Sequence, residues 1–202
     1  MPPVWLRYGT PGRYAKTREA EAEAAVRLAG NHEAQFLGFG DSTTYRHLSE
    51  IYLRVAALVK SFQPQIIVTH ALEGAHEDHD ACSFIAERLA RRFGVEVWEM
   101  ALYYVADSTG KIVRNAFRTE LQPAQVLTPT AEELSIKNKM LAAHRSQKHI
   151  VQKFDASREL IRRQTPAAEY GCFYRQLDEL TVNKTRVEAI ARRFDKFEYP
   201  CA

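Results

Sequence analysis

The sequence passes at one point from an uninterrupted apolar run to a histidine-rich loop and then to an amphipathic helical pattern. The run Ile66–Val68 follows Pro64 and leads to His70. Apolar residues without alternation are typical of a strand that is buried on both faces of a parallel sheet. Residues 73–79 then read Glu-Gly-Ala-His-Glu-Asp-His. Ligands bind beyond the carboxyl ends of strands in open α/β sheets, so this loop is predicted to be the functional site.

Predicted helices and strands alternate along the chain. Apolar stripes at helical spacing predict one helix over Leu48–Phe62 and another from about Asp80 to Phe93. Thr130 and Glu133 form a capping box that begins a later helix. Strands are expected at Val4–Leu6, Ala34–Phe39, Val95–Met100, Val126–Leu127 and in a hairpin between Ala101 and Phe117. The C-terminal third is expected to be helical. This pattern predicts an α/β fold with a Rossmann-like, mostly parallel sheet flanked by helices, in a single domain over residues 1–202.

Charge and cysteine content restrict the classes of partner and compartment. The 28 Lys and Arg residues exceed the 25 Asp and Glu residues by only 3, which does not indicate nucleic acid or an anionic membrane as a partner. No apolar run approaches the roughly 20 residues that a membrane span requires. The 3 cysteines are far apart and form no Cys-x-x-Cys pair. We therefore expect a cytoplasmic protein without a disulfide framework or a thiolate zinc site.

Three histidines in and beside the loop are candidate metal ligands. His76 and His79 are three residues apart and share a helix face if the helix begins early enough, and His70 stands at the end of the strand. A catalytic zinc ion needs about three protein ligands and one open position. The residues alone leave two interpretations open: a metal site, complete or partial, and ordinary hydrogen-bonding histidines.

Four segments, in order, resemble a known family. Thr69–His79 resembles the second motif, His-Pro-Asp-His, of the PIG-L/LmbE-like zinc-dependent N-deacetylases, which remove acetyl groups from N-acetylglucosamine-type substrates. The other three segments are Gly9–Gly30 with its Arg-x-x-Glu pattern, Leu37–Asp41, and Lys139–Gln147. The resemblance spans roughly residues 4–180 and implies the fold and the chemistry of that family.

Carried over to this sequence, the resemblance implies a role for each of five residues. His79 would be a Zn²⁺ ligand, and His76 would be the acid or electrostatic partner that faces the tetrahedral intermediate. Asp78 would orient His76. Arg18 and Asp41 would lie at the rim of a site for a small-molecule N-acetylated amino sugar. An oligomer is possible.

One departure from the family affects the metal site directly. The family's first motif, Ala-His-Pro-Asp-Asp-Glu, supplies two zinc ligands and the general base, and no His-Pro-Asp-Asp occurs in this sequence. The resemblance therefore implies that the first strand and helix are missing, that an apolar sheet edge is exposed, and that this chain is inactive alone. A non-catalytic α/β binding or interaction domain derived from the family is the alternative. A hydrolase or transferase that uses the histidines without metal is a third interpretation.

Overall fold

The computed structural model describes residues 4–30, 32–106, 109–118, 123–164, 170–177 and 184–200. The chain divides into two compact units. The first comprises Met1–Phe36 and Thr128–Arg158, and the second comprises Leu37–Leu127 and Glu159–Ala202. The single domain expected from the sequence stays a prediction.

The helices and strands alternate through most of the chain. The helices are α1 (Pro11–Leu28), α2 (Leu48–Phe62), α3 (Glu77–Phe93), α4 (Ala131–Ala143), α5 (Lys148–Val151), α6 (Tyr170–Leu177) and α7 (Lys184–Asp195). The strands are β1 (Ile66–His70), β2 (Glu96–Met100), β3 (Tyr103–Val105), β4 (Ile112–Arg114), β5 (Gln125–Leu127) and β6 (Glu159–Arg163). Short 3-10 helices occupy Val4–Tyr8, Thr44–Arg46 and Arg145–Gln147.

The first unit is helical. The predicted strand at Val4–Leu6 is wrong, because this segment forms a 3-10 helix that leads through Gly9, with φ +83°, into α1. The carboxylate of Glu21 on α1 accepts hydrogen bonds from the backbone N–H (2.9 Å) and the hydroxyl (2.6 Å) of Ser146. Two of the segments that carry the family resemblance are thus joined within this unit. The capping box of Thr130 and Glu133 at the start of α4 is confirmed.

The second unit is built on a mixed sheet in the order β1-β2-β6-β5. β1 and β2 are parallel, whereas β6 runs antiparallel to both β2 and β5. The predicted hairpin is confirmed as the β3–β4 pair, and the predicted last strand as β5. The α/β class is therefore confirmed. The antiparallel β6 was not predicted, since its segment was expected to be helical.

Two strand predictions need correction. Ala34–Phe39 forms no strand, and Gly38 within this segment takes a φ of +74°, which interrupts an extended conformation. β1 is not buried on both faces: Ile66 is 51% exposed and Val68 is 61% exposed. Ile66 and Val68 lie on the same face of the strand, which is uncovered, whereas Thr69 on the opposite face is buried. In the described part of the chain, β1 also lies at the edge of the sheet and pairs with β2 alone. The structure thus has an exposed apolar edge at this strand.

The core of the second unit lies where four helices bring their apolar faces together. α2 follows its predicted bounds, and its C-cap Gln63 stands immediately before Pro64. The main buried side chains are Leu48, Ile51, Tyr52, Val59, Ala81, Phe84, Ile85, Leu89, Tyr170, Tyr174, Val187, Ile190 and Phe194. This core supports the amino-terminal half of α3 and the loop before it. Among the described residues, no helix has both the length and the apolar character needed to cross a membrane.

Candidate active site

The histidine-rich loop joins the carboxyl end of β1 to the start of α3. His70 is the last residue of β1, and His76 is the N-cap of α3. The ring Nδ1 of His76 accepts the backbone N–H of Asp78 at 3.3 Å, and this cap starts the helix earlier than the apolar stripe predicted. His79 consequently lies in the first turn of α3.

Three imidazole rings are stacked in this loop. The ring centroids of His70 and His79 are 4.1 Å apart, and those of His76 and His79 are 4.7 Å apart, with interplanar angles of 19° in both pairs. Burial, together with the neighbouring histidines, lowers the pKa of His79 to about 3. Burial and His76 lower the pKa of His70 to about 4. Both rings are therefore neutral at neutral pH, which is the form that binds metals.

Two of these rings have nitrogens without a hydrogen-bond partner in the described residues. Nδ1 of His70 is buried and has no hydrogen-bond partner in the described part of the chain. His79 makes ring contacts, including an edge-on contact with Tyr103 at 5.7 Å between centroids. Within the described ranges, neither ring nitrogen of His79 takes part in a hydrogen bond. The imidazole of His79 is thus neutral and chemically available.

The carboxylate of Asp78 joins the loop at residues 42–44 to the start of α3 by hydrogen bonds. Its carboxylate accepts the backbone N–H groups of Ser42 (2.6 Å) and Thr44 (3.0 Å), and also the hydroxyl of Thr44. His76 is contacted by the backbone N–H of Asp78 and not by a hydrogen bond to this carboxylate, so the expected orienting role of the Asp78 carboxylate stays a prediction. This arrangement places Asp41 beside His76, with 3.8 Å between Asp41 Oδ1 and His76 Nε2.

Asp41, His76 and Asp78 form the one group of three metal-ligand side chains found in the described residues. Their ligand atoms lie within 4.8 Å of one another. The oxygens of Asp78 already accept three hydrogen bonds, and His76 Nδ1 accepts a fourth. The one lone pair of the neutral His76 ring is engaged, and three of the about four acceptor sites of the Asp78 carboxylate are filled, so the group fits a hydrogen-bonded network better than a metal site.

Arg18, the other predicted substrate residue, belongs to the first unit. It is exposed on α1, and its guanidinium carbon lies 5.9 Å from the ring centroid of Tyr14. Its proposed contact with substrate stays a prediction.

Two buried carboxylates beside the histidines were missed by the sequence reasoning. Glu73 is 1% exposed and Asp80 is fully buried. Burial raises the pKa of Glu73 to about 8 and that of Asp80 to about 6, against the opposing effect of the backbone N–H groups that each accepts. A signal for Asp80 is present in the sequence, because it falls on the apolar stripe of α3, four residues before Phe84.

Comparison with known proteins identifies the fold first. The structure is similar to the deacetylase–bog complex from the biosynthesis pathway of teicoplanin (TM-score 0.54, 18% identity, covering 81% of this chain and 80% of that one). It is also similar to the zinc-inhibited form of teicoplanin deacetylase Orf2 (TM-score 0.50, 17% identity, 81% of each chain). A third similar structure is the deacetylase–teicoplanin complex (TM-score 0.50, 16% identity, 81% and 80%). This likeness establishes an α/β fold of the deacetylase type.

The sequence comparison then identifies the family. Residues 4–90 match the family "PIG-L: GlcNAc-PI de-N-acetylase". The resemblance to the PIG-L family is thereby confirmed over this segment, which is less than half of the chain and includes the whole histidine loop. No curated protein matches the sequence.

Proposed function

We propose that this protein is a metal-dependent amide hydrolase that removes the acetyl group from an N-acetylated amino sugar. The observation that carries the proposal is the state of His79. This imidazole is neutral, stands at the carboxyl end of a parallel pair of strands, and has no hydrogen-bond partner in the described residues. A ring of this kind in a PIG-L segment suits a zinc ligand.

The fit of the neighbouring histidines to zinc is poor, so His79 is the one we assign to the metal. The lone pair of an imidazole nitrogen lies in the plane of its ring. Because the rings of His70, His76 and His79 are stacked, their lone pairs run side by side and do not converge on one point. A zinc ion held by His79 would supply Lewis acidity toward the amide carbonyl.

The other ligands of the family site belong to a His-Pro-Asp-Asp motif that this sequence lacks. We therefore expect the 202-residue chain to hold zinc weakly and below one equivalent, and to release little acetate.

His76 is assigned the role of acid or electrostatic partner. Because its Nδ1 accepts the N–H of Asp78, the neutral ring carries its proton on Nε2, the nitrogen that faces Asp41. That N–H can donate a hydrogen bond to the oxygen on which negative charge develops. Asp78 acts as a positioning residue for this ring. The exposed carboxylate of Asp41 can accept hydrogen bonds from sugar hydroxyls, and Arg18 is proposed as a second substrate residue.

Sugar binding tests the substrate class. We expect an N-acetylglucosamine derivative to bind the wild-type chain, with an affinity that Asp41→Asn lowers several-fold. Glu50→Gln is the matched control, since Glu50 is a half-exposed carboxylate on α2 that is paired with Arg54. Failure of the wild-type chain to bind the sugar, or equal binding by the Asp41 variant, would contradict the substrate assignment.

Zinc binding and acetate release test the roles of the two histidines. His76→Ala should keep the zinc affinity of the wild-type chain and abolish any acetate release that added Zn²⁺ supports. Equal loss of metal in His76→Ala and His79→Ala would contradict the division of roles. Sugar binding that depends on neither histidine would favour the non-catalytic binding domain.

A further inference from the structure

We propose that Glu73 and Asp80 are positioning residues that hold the histidine loop and the ring of Tyr103 in place around His79. This proposal deepens the proposed function, because it says what fixes the candidate metal ligand. Both carboxylates lie outside the roles assigned above, and both are almost completely buried. Carboxylates are rarely buried unless hydrogen-bond donors surround them, so their partners indicate what they do.

Asp80 joins the beginning of the loop to the helix that carries His79. Its Oδ1 accepts the backbone N–H of Glu73 at 2.8 Å, and its Oδ2 accepts that of Gly74 at 3.0 Å. The hydroxyl of Tyr174 on α6 donates to Oδ2 at 2.5 Å. Asp80 directly follows His79 in the first turn of α3. The side chain of Asp80 therefore joins the two ends of the segment 73–80 by hydrogen bonds.

Glu73 joins the same loop to the β3–β4 hairpin. Its Oε1 accepts the backbone N–H of Leu102 at 2.9 Å, and its Oε2 accepts that of Tyr103 at 3.1 Å. The backbone carbonyl of Glu73 also accepts a long hydrogen bond from Arg118, which donates to the carbonyl of Val105 at 3.1 Å as well. The side chain and the main chain of Glu73 thus hold the start of the hairpin against the loop.

The ring of Tyr103 connects the hairpin to the histidines. Its half-buried ring meets the ring of His79 edge-on, with 5.7 Å between centroids and an interplanar angle of 79°. The contacts link these residues in series. Asp80 accepts a hydrogen bond from the backbone of Glu73, the carboxylate of Glu73 accepts one from the backbone of Tyr103, and the ring of Tyr103 packs on His79. Since a metal site depends on the orientation of its ligands, loss of either carboxylate should change the environment and the zinc affinity of His79.

The experiment compares Glu73→Gln and Asp80→Asn with a buried carboxylate elsewhere on the same helix. Glu87 on α3 is 2% exposed, faces Arg88 and Arg91, and makes no contact with the loop. The first readout is the NMR signal of the His79 ring, assigned with His79→Gln and recorded at pH 8. The second readout is the dissociation constant for Zn²⁺, and unfolding in urea gives the stability of each variant.

We expect Glu73→Gln and Asp80→Asn to shift the His79 signal and to weaken zinc binding by about tenfold, the lower end of the range for residues that orient metal ligands. Glu87→Gln should lower stability and leave both readouts unchanged. If Asp80→Asn does not fold, Glu73→Gln and Tyr103→Ala carry the test, and both should shift the His79 signal.

An unchanged His79 signal in Glu73→Gln would overturn the positioning role. If no variant, nor the wild-type chain, binds zinc at all, the metal assignment fails, and the His79 signal still decides the positioning role. The two proposals can thus fail separately.

Discussion

The imidazole rings of His70 and His79 stack face to face, with 4.1 Å between their centroids and 19° between their planes. Their in-plane lone pairs cannot meet on one ion in this arrangement. His70 therefore acts as a packing neighbour of His79, and the three-histidine site that the spacing left open is disfavoured. The buried Nδ1 of His70 has no hydrogen-bond partner in the described residues, which is a cost to the folded chain.

Replacing His70 by phenylalanine tests this packing role. His70→Phe keeps an aromatic ring against His79 and removes the unpartnered nitrogen, so we expect the free energy of unfolding to be unchanged or to rise by about 1 kcal/mol. Zinc affinity should match that of the wild-type chain. A loss of zinc as large as in His79→Ala would identify His70 as a ligand.

The buried carboxyl of Glu73 makes stability depend on pH. Burial raises its pKa from 4.5 to about 8, so between these values the folded chain retains a proton that the unfolded chain loses. Stability from this group is therefore fully present below pH 4.5 and falls as the pH rises toward 8, by on the order of a few kcal/mol. The free energy of unfolding of the wild-type chain minus that of Glu73→Gln should decrease from pH 5 to pH 8. Parallel pH profiles would contradict the shift.

Gly74 lies in the loop at a position where an added side chain would meet Leu177. Its φ is +73°, and an added Cβ would lie 2.3 Å from Cδ1 of Leu177. Gly74→Ala should lower the free energy of unfolding by about 2–4 kcal/mol, from backbone strain together with overpacking. Gly110→Ala is the matched control: its φ is +78°, and no atom lies within 4 Å of the added Cβ. In this control the free energy of unfolding should fall by only about 1 kcal/mol, from backbone strain alone. Equal losses in urea unfolding would show that Leu177 moves aside without cost.

Glu21 and Ser146 hold α1 to the segment after α4 in the first unit. Glu21→Ala removes the acceptor for the backbone N–H and the hydroxyl of the buried Ser146, and we expect a loss of about 1–3 kcal/mol. Glu23 provides the control on the same helix, since it is half-exposed and lies 3.7 Å from Arg27. Glu23→Ala should change the free energy of unfolding by less than about 0.5 kcal/mol. A similar loss in both variants would mean that the contact with Ser146 contributes little.

Local patterns in the sequence predicted the helices whose formation depends on interactions between residues close in the chain. α2 was predicted because its apolar residues form one stripe, and α4 because Thr130 and Glu133 cap each other. The position of the histidine loop followed from the apolar run before it. The start of α3 was placed late, because the cap is His76 and histidine is not among the common N-cap residues.

Features that depend on distant partners could not be predicted. β6 contains Arg162, which is buried against Glu99 at 2.5 Å and lies over the ring of Phe117. A charged strand of this kind is not recognisable until its neighbour in the sheet is known. The role of Asp80 is hidden for the same reason, since Tyr174 is 94 residues away in the sequence. The edge position of β1 depends on which strands pair, and one strand's sequence does not specify that.

The most direct test of the account is a Zn²⁺ titration of the wild-type chain beside His79→Ala and His149→Ala, an exposed histidine on α5 that serves as control. We predict weak, sub-stoichiometric binding that His79→Ala abolishes and His149→Ala leaves intact. Zinc binding that survives in His79→Ala would contradict the assignment of this ring to the metal. Tight one-to-one binding that His79→Ala abolishes would keep the ring as a ligand and contradict the conclusion that this sequence lacks the other ligands.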